Sequence, residues 1–173
     1  MTAAKTLSAE ETAIAVAEAN RLFEYRADGT LVRKVTTGGR PAGSTVGGVH
    51  HDGYLQAKFL GRHIQVHRLV WLMHRGELPA VLDHINGVRH DNRIENLRSV
   101  SHAVNSQNRR AATSVNKTGF LGVMLVARNR DRPFVAAIRV SGRQKELGCF
   151  ATAEQAHEAY VMAKRRLHAG CTL

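Results

Sequence analysis

The sequence predicts an α+β protein: a small β-rich N-terminal region, then two short strands with a helix, then a three-stranded antiparallel sheet packed on one helix. Two helix-start patterns, Ser8-Ala9-Glu10-Glu11 and Thr152-Ala153-Glu154-Gln155, each precede apolar residues at helical spacing. Between them the strand-like runs are short and separated by glycine-containing hairpin signals. A composition of 43% hydrophobic and 23% charged residues is ordinary for a globular chain and excludes full disorder.

Taken in order, the Ser8 capping box opens an alanine-rich helix to about Phe23. Leu22–Arg26 and Thr30–Val35 flank Ala27-Asp28-Gly29, a hairpin signal. Gly38-Gly39-Arg40-Pro41 is a loop, and Tyr54–Leu60 and His63–His67 flank a second hairpin signal at Gly61-Arg62. Val66–Arg75 reads as a helix, with Leu69, Val70, Leu72 and Met73 on its apolar side and Gly76 ending it. Val81–Ile85 and Leu97–Val100 are short strands joined by the polar loop Asn86–Asn96. Ser101 caps a helix from about His102 to Arg110, and Ala111–Lys117 is a polar linker.

Gly119–Arg128, Pro133–Val140 and Gln144–Phe150 read as three strands. In the middle one Phe134, Ala136, Ile138 and Val140 alternate onto one face, with Val135, Ala137 and Arg139 on the other. The following helix repeats Ala156, Tyr160, Ala163 and Leu167 at helical spacing, enough to cover one sheet face. The other face is expected to be bare and to carry arginines. Three regions result: 1–66, 67–112 and 113–173.

The 173 residues suffice for a core without staples. Cys149 and Cys171 are the only cysteines, which excludes a disulfide framework and a cysteine-rich zinc site. No stretch approaches the ~20 apolar residues of a membrane span. The N-terminus lacks an apolar signal core, so a cytoplasmic location is expected. The net charge of +11 predicts a polyanionic partner. Residues 113–173 hold 10 basic and 4 acidic side chains, more than half of the surplus. Arginine far exceeds lysine, which favours forked contacts to phosphate and guanine. A membrane surface would instead call for bulky apolar anchors, and Lys164-Arg165-Arg166 has only Leu167 beside it.

The chemistry concentrates in Leu82-Asp83-His84-Ile85-Asn86-Gly87, Asp91-Asn92-Arg93-Ile94-Glu95-Asn96-Leu97 and Asn105-Ser106-Gln107-Asn108-Arg109. Phosphodiester hydrolysis needs a base to activate water and a cation to neutralise the phosphate. A carboxylate and amide oxygens suit hard Mg²⁺ or Mn²⁺ better than zinc. Asp83 and His84 are adjacent on a strand and point to opposite faces, so only its irregular end can bring both to one site. The helix that follows offers Asn105 as a second ligand. Arg109, four residues on and on the same face, is placed to stabilise a pentacoordinate phosphate.

From about Val66 through Arg110 these pieces resemble, in order and spacing, the HNH nuclease family in its phage and intron-encoded homing branch. The resemblance implies two strands and a helix around one divalent metal ion. By position it implies His84 as general base and Asp83 as a metal ligand. It also implies Asn96 as the middle motif residue, bracing the loop and orienting the base, and Asn105 as the third motif residue and other ligand. Asparagine at that last position, where many relatives have histidine, favours Mg²⁺ or Mn²⁺. Among neighbouring residues, His67 reads as packed or hydrogen-bonded structure, His90 as solvated loop, Asn92 as a turn or capping residue, and Trp71 and Met73 as core. His50 and His51 receive no role.

Residues 117–169 resemble the apetala or ethylene-response-factor type of DNA-binding domain. The carriers are Thr118-Gly119-Phe120-Leu121-Gly122-Val123, Phe134–Val140 and Leu147–Ala156. The resemblance implies a sheet laid in the major groove of double-stranded DNA. By alternation Met124, Arg128 and Arg139 take the groove-facing side. Lys117 lies at the start of the domain, and Arg130, Arg132, Arg143 and Lys145 sit in turns or at strand ends, suited to phosphate. Glu146 departs from the plant members, so their base preference does not transfer.

The leading expectation is a site-specific, metal-dependent DNA endonuclease that nicks as a monomer and needs no small-molecule cofactor. The alternative is a sequence-specific DNA-binding regulator with an inactive nuclease scaffold. An RNA module is disfavoured because aromatic residues, the usual stacking platform, make only 5% of the chain.

Overall fold

The computed structural model describes residues 8–108, 111–113, 115–126, 130–168 and 170–171. It bears out the α+β class. The chain divides into two compact units, Met1–Ser101 and His102–Leu173.

The first unit opens with α1 (Ala9–Leu22). The Ser8 hydroxyl accepts from the Glu11 N–H and the Glu11 carboxylate accepts from the Ser8 N–H, so the expected capping box is present in both halves. Strands β1 (Phe23–Tyr25) and β2 (Leu31–Arg33) form the first hairpin. A three-stranded sheet follows in the order β3 (Gly48–Val49), β4 (Leu55–Phe59), β5 (Arg62–Gln65). The β4–β5 turn differs from the expected Gly61-Arg62. Phe59 pairs with Arg62, so the two turn residues are Leu60 and Gly61, both at positive φ. A two-residue hairpin with both central residues left-handed matches the twist of its strands.

Helix α2 (Val66–Arg75) has the bounds the periodicity predicts and ends on Gly76 in the left-handed region. It is the centre of the core. Val66, Leu69, Val70 and Leu72 are buried against Ala15 and Ala19 of α1, Phe23 of β1, Leu31 of β2 and Phe59 of β4. Truncating Leu69 or Leu72 to alanine is expected to cost about 2–5 kcal/mol. The same core takes in Leu82 of β6 (Leu82–His84) and Leu97 of β7 (Leu97–Ser99). It thus draws on the chain both before and after His67 and seats the β6–β7 ribbon on a rigid base.

The second unit begins with α3 (His102–Gln107), shorter than the expected helix. Of the remainder of that expectation, Asn108 is a turn residue, and Arg109 and Arg110 lie outside the described residues. The Asn116 side chain then organises the approach to the sheet: its amide donates to the Phe120 and Val123 carbonyls and its oxygen accepts from Thr118. Strands β8 (Val123–Leu125), β9 (Phe134–Val140) and β10 (Arg143–Phe150) pair antiparallel with β9 central. Helix α4 (Ala153–Leu167), capped by the Thr152 hydroxyl, packs Ala153, Ala156 and Tyr160 on Val123, Ala136 and Ile138. Gly122 is required at that contact. A Cβ there would lie 2.0 Å from the Tyr160 ring, and the backbone φ is +78°. On the opposite sheet face Val135 is only 2% exposed, while Arg139 and Met124 on the same face are exposed.

Candidate functional site

The β6–β7 ribbon pairs Leu82 with Ser99, Asp83 with Arg98 and His84 with Leu97. A ribbon this short needs its connecting loop fixed by other means, and side-chain amides supply them. Asn96, in the 3₁₀ turn before β7, accepts from the Asn86 N–H (3.0 Å). It donates to the Asn86 side-chain oxygen (3.0 Å) and to the Asp91 carbonyl (2.8 Å). Asn86 in turn donates to the Asp91 carboxylate at 2.6 Å. Arg93 adds Nε and Nη2 bonds to Asp91 at 2.9 and 2.8 Å. These partners, Arg93 first, hold the Asp91 carboxyl well below the usual carboxylate range.

The N-terminal hairpin buttresses the loop. Tyr25 Oη accepts from the Ile94 N–H at 3.0 Å. The turn at Gly29 approaches so closely that a Cβ there would lie 2.5 Å from the Arg93 nitrogen.

His84 ends β6 and is 3% exposed. Its Nε2 lies 3.1 Å from Asn92 Oδ1. An amide oxygen only accepts, so Nε2 carries the hydrogen and Nδ1 is the basic nitrogen of the neutral ring. Burial lowers the His84 pKa, opposed by the Asn92 hydrogen bond and by the charges of Asp83 and Asp91. The ring is walled by aromatic neighbours, with His67 at 4.9 Å edge-on and Tyr54 at 5.8 Å between centroids. Burial pushes His67 down to about 3, with His84 and Arg68 adding to the effect, so its imidazole is neutral at physiological pH. The Arg89 guanidinium lies over Tyr54 at 5.1 Å and donates to the Asp52 carbonyl. Among the described residues, Asn92 Nδ2 and His67 Nδ1 are buried without a hydrogen-bond partner.

Asp83 is buried to 8% exposure, and Arg98 donates to its Oδ2 through Nε at 3.1 Å and Nη2 at 2.8 Å. Asp83, His84 and Asn96 thus lie on one ribbon with its loop. Asn105 is exposed on α3, in the other unit. Arg109 and Arg128 lie outside the described residues. No group of three or more His, Cys, Asp or Glu side chains among the described residues is arranged to hold a metal. Asp83 offers a carboxylate and Asn105 an amide oxygen, and oxygen donors of this kind suit a hard ion better than zinc.

In the second unit Arg139 is exposed on β9 opposite Gln144, and Met124 is 42% exposed opposite Val135. Arg143 and Lys145, exposed on β10, pair with Val140 and Ile138 and so share the α4 side of the sheet, not the Arg139 side. Lys117, Arg130 and Arg132 are exposed between elements.

Sequence reasoning missed Arg98, Tyr54 and the role of Asn92. Asn92 stood in the chemical motif but reads as a turn residue, because asparagine is common in turns. Arg98 shows only once the register sets it opposite Asp83. Tyr54 carries no sequence signal.

A buried neutral histidine beside a carboxylate, on a ribbon locked by asparagines, is a site equipped for proton transfer. Residues 65–107, which hold α2, the ribbon and α3, match the model of the HNH endonuclease family, and the match supports an HNH nuclease. No curated protein and no solved structure matches the chain at a significant level. No described helix is long and apolar enough to cross a membrane.

Proposed function

We propose that the protein is a site-specific, divalent-metal-dependent DNA endonuclease of the homing type that nicks one strand as a monomer. The observation that carries this reading is His84, buried within the matched segment and held through Nε2 by Asn92. His84 Nδ1 takes a proton from water as the water oxygen forms a bond to phosphorus and the opposite P–O bond breaks. Asn92 keeps the proton on Nε2, and Asn96 keeps the loop that carries Asn92 in place. Asp83 and Asn105 would hold one Mg²⁺ or Mn²⁺. When bound, the ion neutralises the phosphate and the leaving oxygen. Arg109 is assigned to the developing charge on the phosphate.

The second unit supplies affinity and sequence choice for double-stranded DNA. A three-stranded sheet covered on one side by α4, with Arg139 and Met124 on the other, supports an apetala-type major-groove reader. Arg128 belongs to the same reading. Lys117, Arg130, Arg132, Arg143 and Lys145 are assigned to phosphate. The test is incubation with supercoiled plasmid at low salt in Mg²⁺, Mn²⁺ or EDTA. Relaxed circles that require metal support the nuclease, and linear product points to paired sites. Retardation of DNA without cutting in either metal turns the reading to a DNA-binding regulator.

A further inference from the structure

The ribbon register sets Arg98 directly across from Asp83, and two guanidinium nitrogens donate to one carboxylate oxygen. A carboxylate side chain 9% exposed requires a counter-charge, and the guanidinium provides it. A divalent ion seated on the same carboxylate faces that guanidinium at close range, and the two cations repel. The Arg98 side chain is 25% exposed, and a guanidinium fork suits phosphate as well as carboxylate. We infer that Arg98 is a built-in competing cation, holding Asp83 in the free protein so that divalent metal binds weakly there until a DNA phosphate draws the guanidinium away. The inference rests on the reading of Asp83 as a metal ligand.

Two consequences follow from linkage. Metal and DNA each raise the affinity for the other by the same factor, and that factor shrinks when Arg98 is removed. An ion pair that DNA leaves in place does not make that factor depend on Arg98.

The test is calorimetric titration of Mn²⁺ into the full chain in the His84→Ala background, with and without a short DNA duplex. Asp83→Asn, Arg98→Gln, Arg98→Lys and the exposed charge control Arg62→Gln are compared, with circular dichroism to confirm folding. Without DNA, Arg98→Gln is expected to bind Mn²⁺ roughly 10-fold more tightly, within the usual range of such couplings. Arg98→Lys, a point charge without the fork, rises less, and Arg62→Gln does not change. DNA tightens Mn²⁺ binding to the Arg98 protein but much less to Arg98→Gln. Equal affinity with and without Asp83→Asn overturns the metal assignment, and this inference with it. Loss of binding in Asp83→Asn with no gain in either Arg98 variant overturns the inference alone, as does an equal gain in Arg62→Gln. If Arg98→Gln does not fold, Arg98→Lys decides: a gain supports the inference and no gain overturns it.

Discussion

His84 Nε2 and Asn92 Oδ1 meet at 3.1 Å, and both side chains are buried. The contact selects one tautomer and one ring orientation, which is what a base aimed at a water molecule needs. Asn92→Ala is therefore expected to lower the single-turnover cleavage rate by roughly 10- to 100-fold, as loss of an orienting partner does at comparable sites. DNA affinity, read by gel retardation, stays at the parental value. Equal losses of rate and of affinity would assign Asn92 to binding instead.

Asn96 makes three hydrogen bonds across its loop, to Asn86 twice and to Asp91. Asn96→Ala removes all three and strands their partners. The expected loss is about 2–4 kcal/mol, at roughly 1 kcal/mol or more per bond. Urea unfolding of both proteins measures it. A loss below about 0.5 kcal/mol, the ordinary surface value, would contradict the bracing role.

His67 is expected to make the protein acid-sensitive. Its pKa falls from 6.5 unfolded to about 3 folded, so the unfolded chain takes the proton first. Stability is kept above pH 6.5 and lost as pH falls toward 3, at up to about 1.4 kcal/mol per pH unit. The groups that act on His67 are His84, Arg68 and Asp52. Between pH 7 and pH 5, the native protein is expected to lose about 2 kcal/mol more than His67→Phe in urea unfolding. Parallel losses in the two proteins would show that His67 is protonated when folded.

Arg139 is exposed on the sheet face away from α4. If that face enters a groove, Arg139→Ala weakens retardation of the target duplex and relaxes base preference, by about 1–3 kcal/mol at one position. Arg143→Ala, on the α4 side of β10, weakens binding evenly across sequences and lowers the salt slope by about 1. Interchanged outcomes would reverse the two faces.

Local rules carried most of the fold. The Ser8 capping box, the α2 periodicity and the β9 alternation depend on neighbours in sequence, and the structure keeps each of them. The turn falls at Leu60-Gly61, one residue before the Gly61-Arg62 signal, because a left-handed leucine has no compositional signal. Burial of Val135 has no signal in the alternation, since the packing around one sheet residue is a tertiary matter. At the site, Asp83, His84 and Asn96 were legible as an ordered motif. Arg98, Asn92 and Tyr54 were not, because they act through a register, a hydrogen bond and a ring contact made only on folding.

The most direct measurement compares the protein with His84→Ala on supercoiled plasmid in Mg²⁺, under single-turnover conditions, with DNA retardation measured alongside. Loss of general-base catalysis predicts a fall in cleavage of at least about 100-fold with DNA binding unchanged. Cleavage by His84→Ala at the parental rate would show that His84 is not the base.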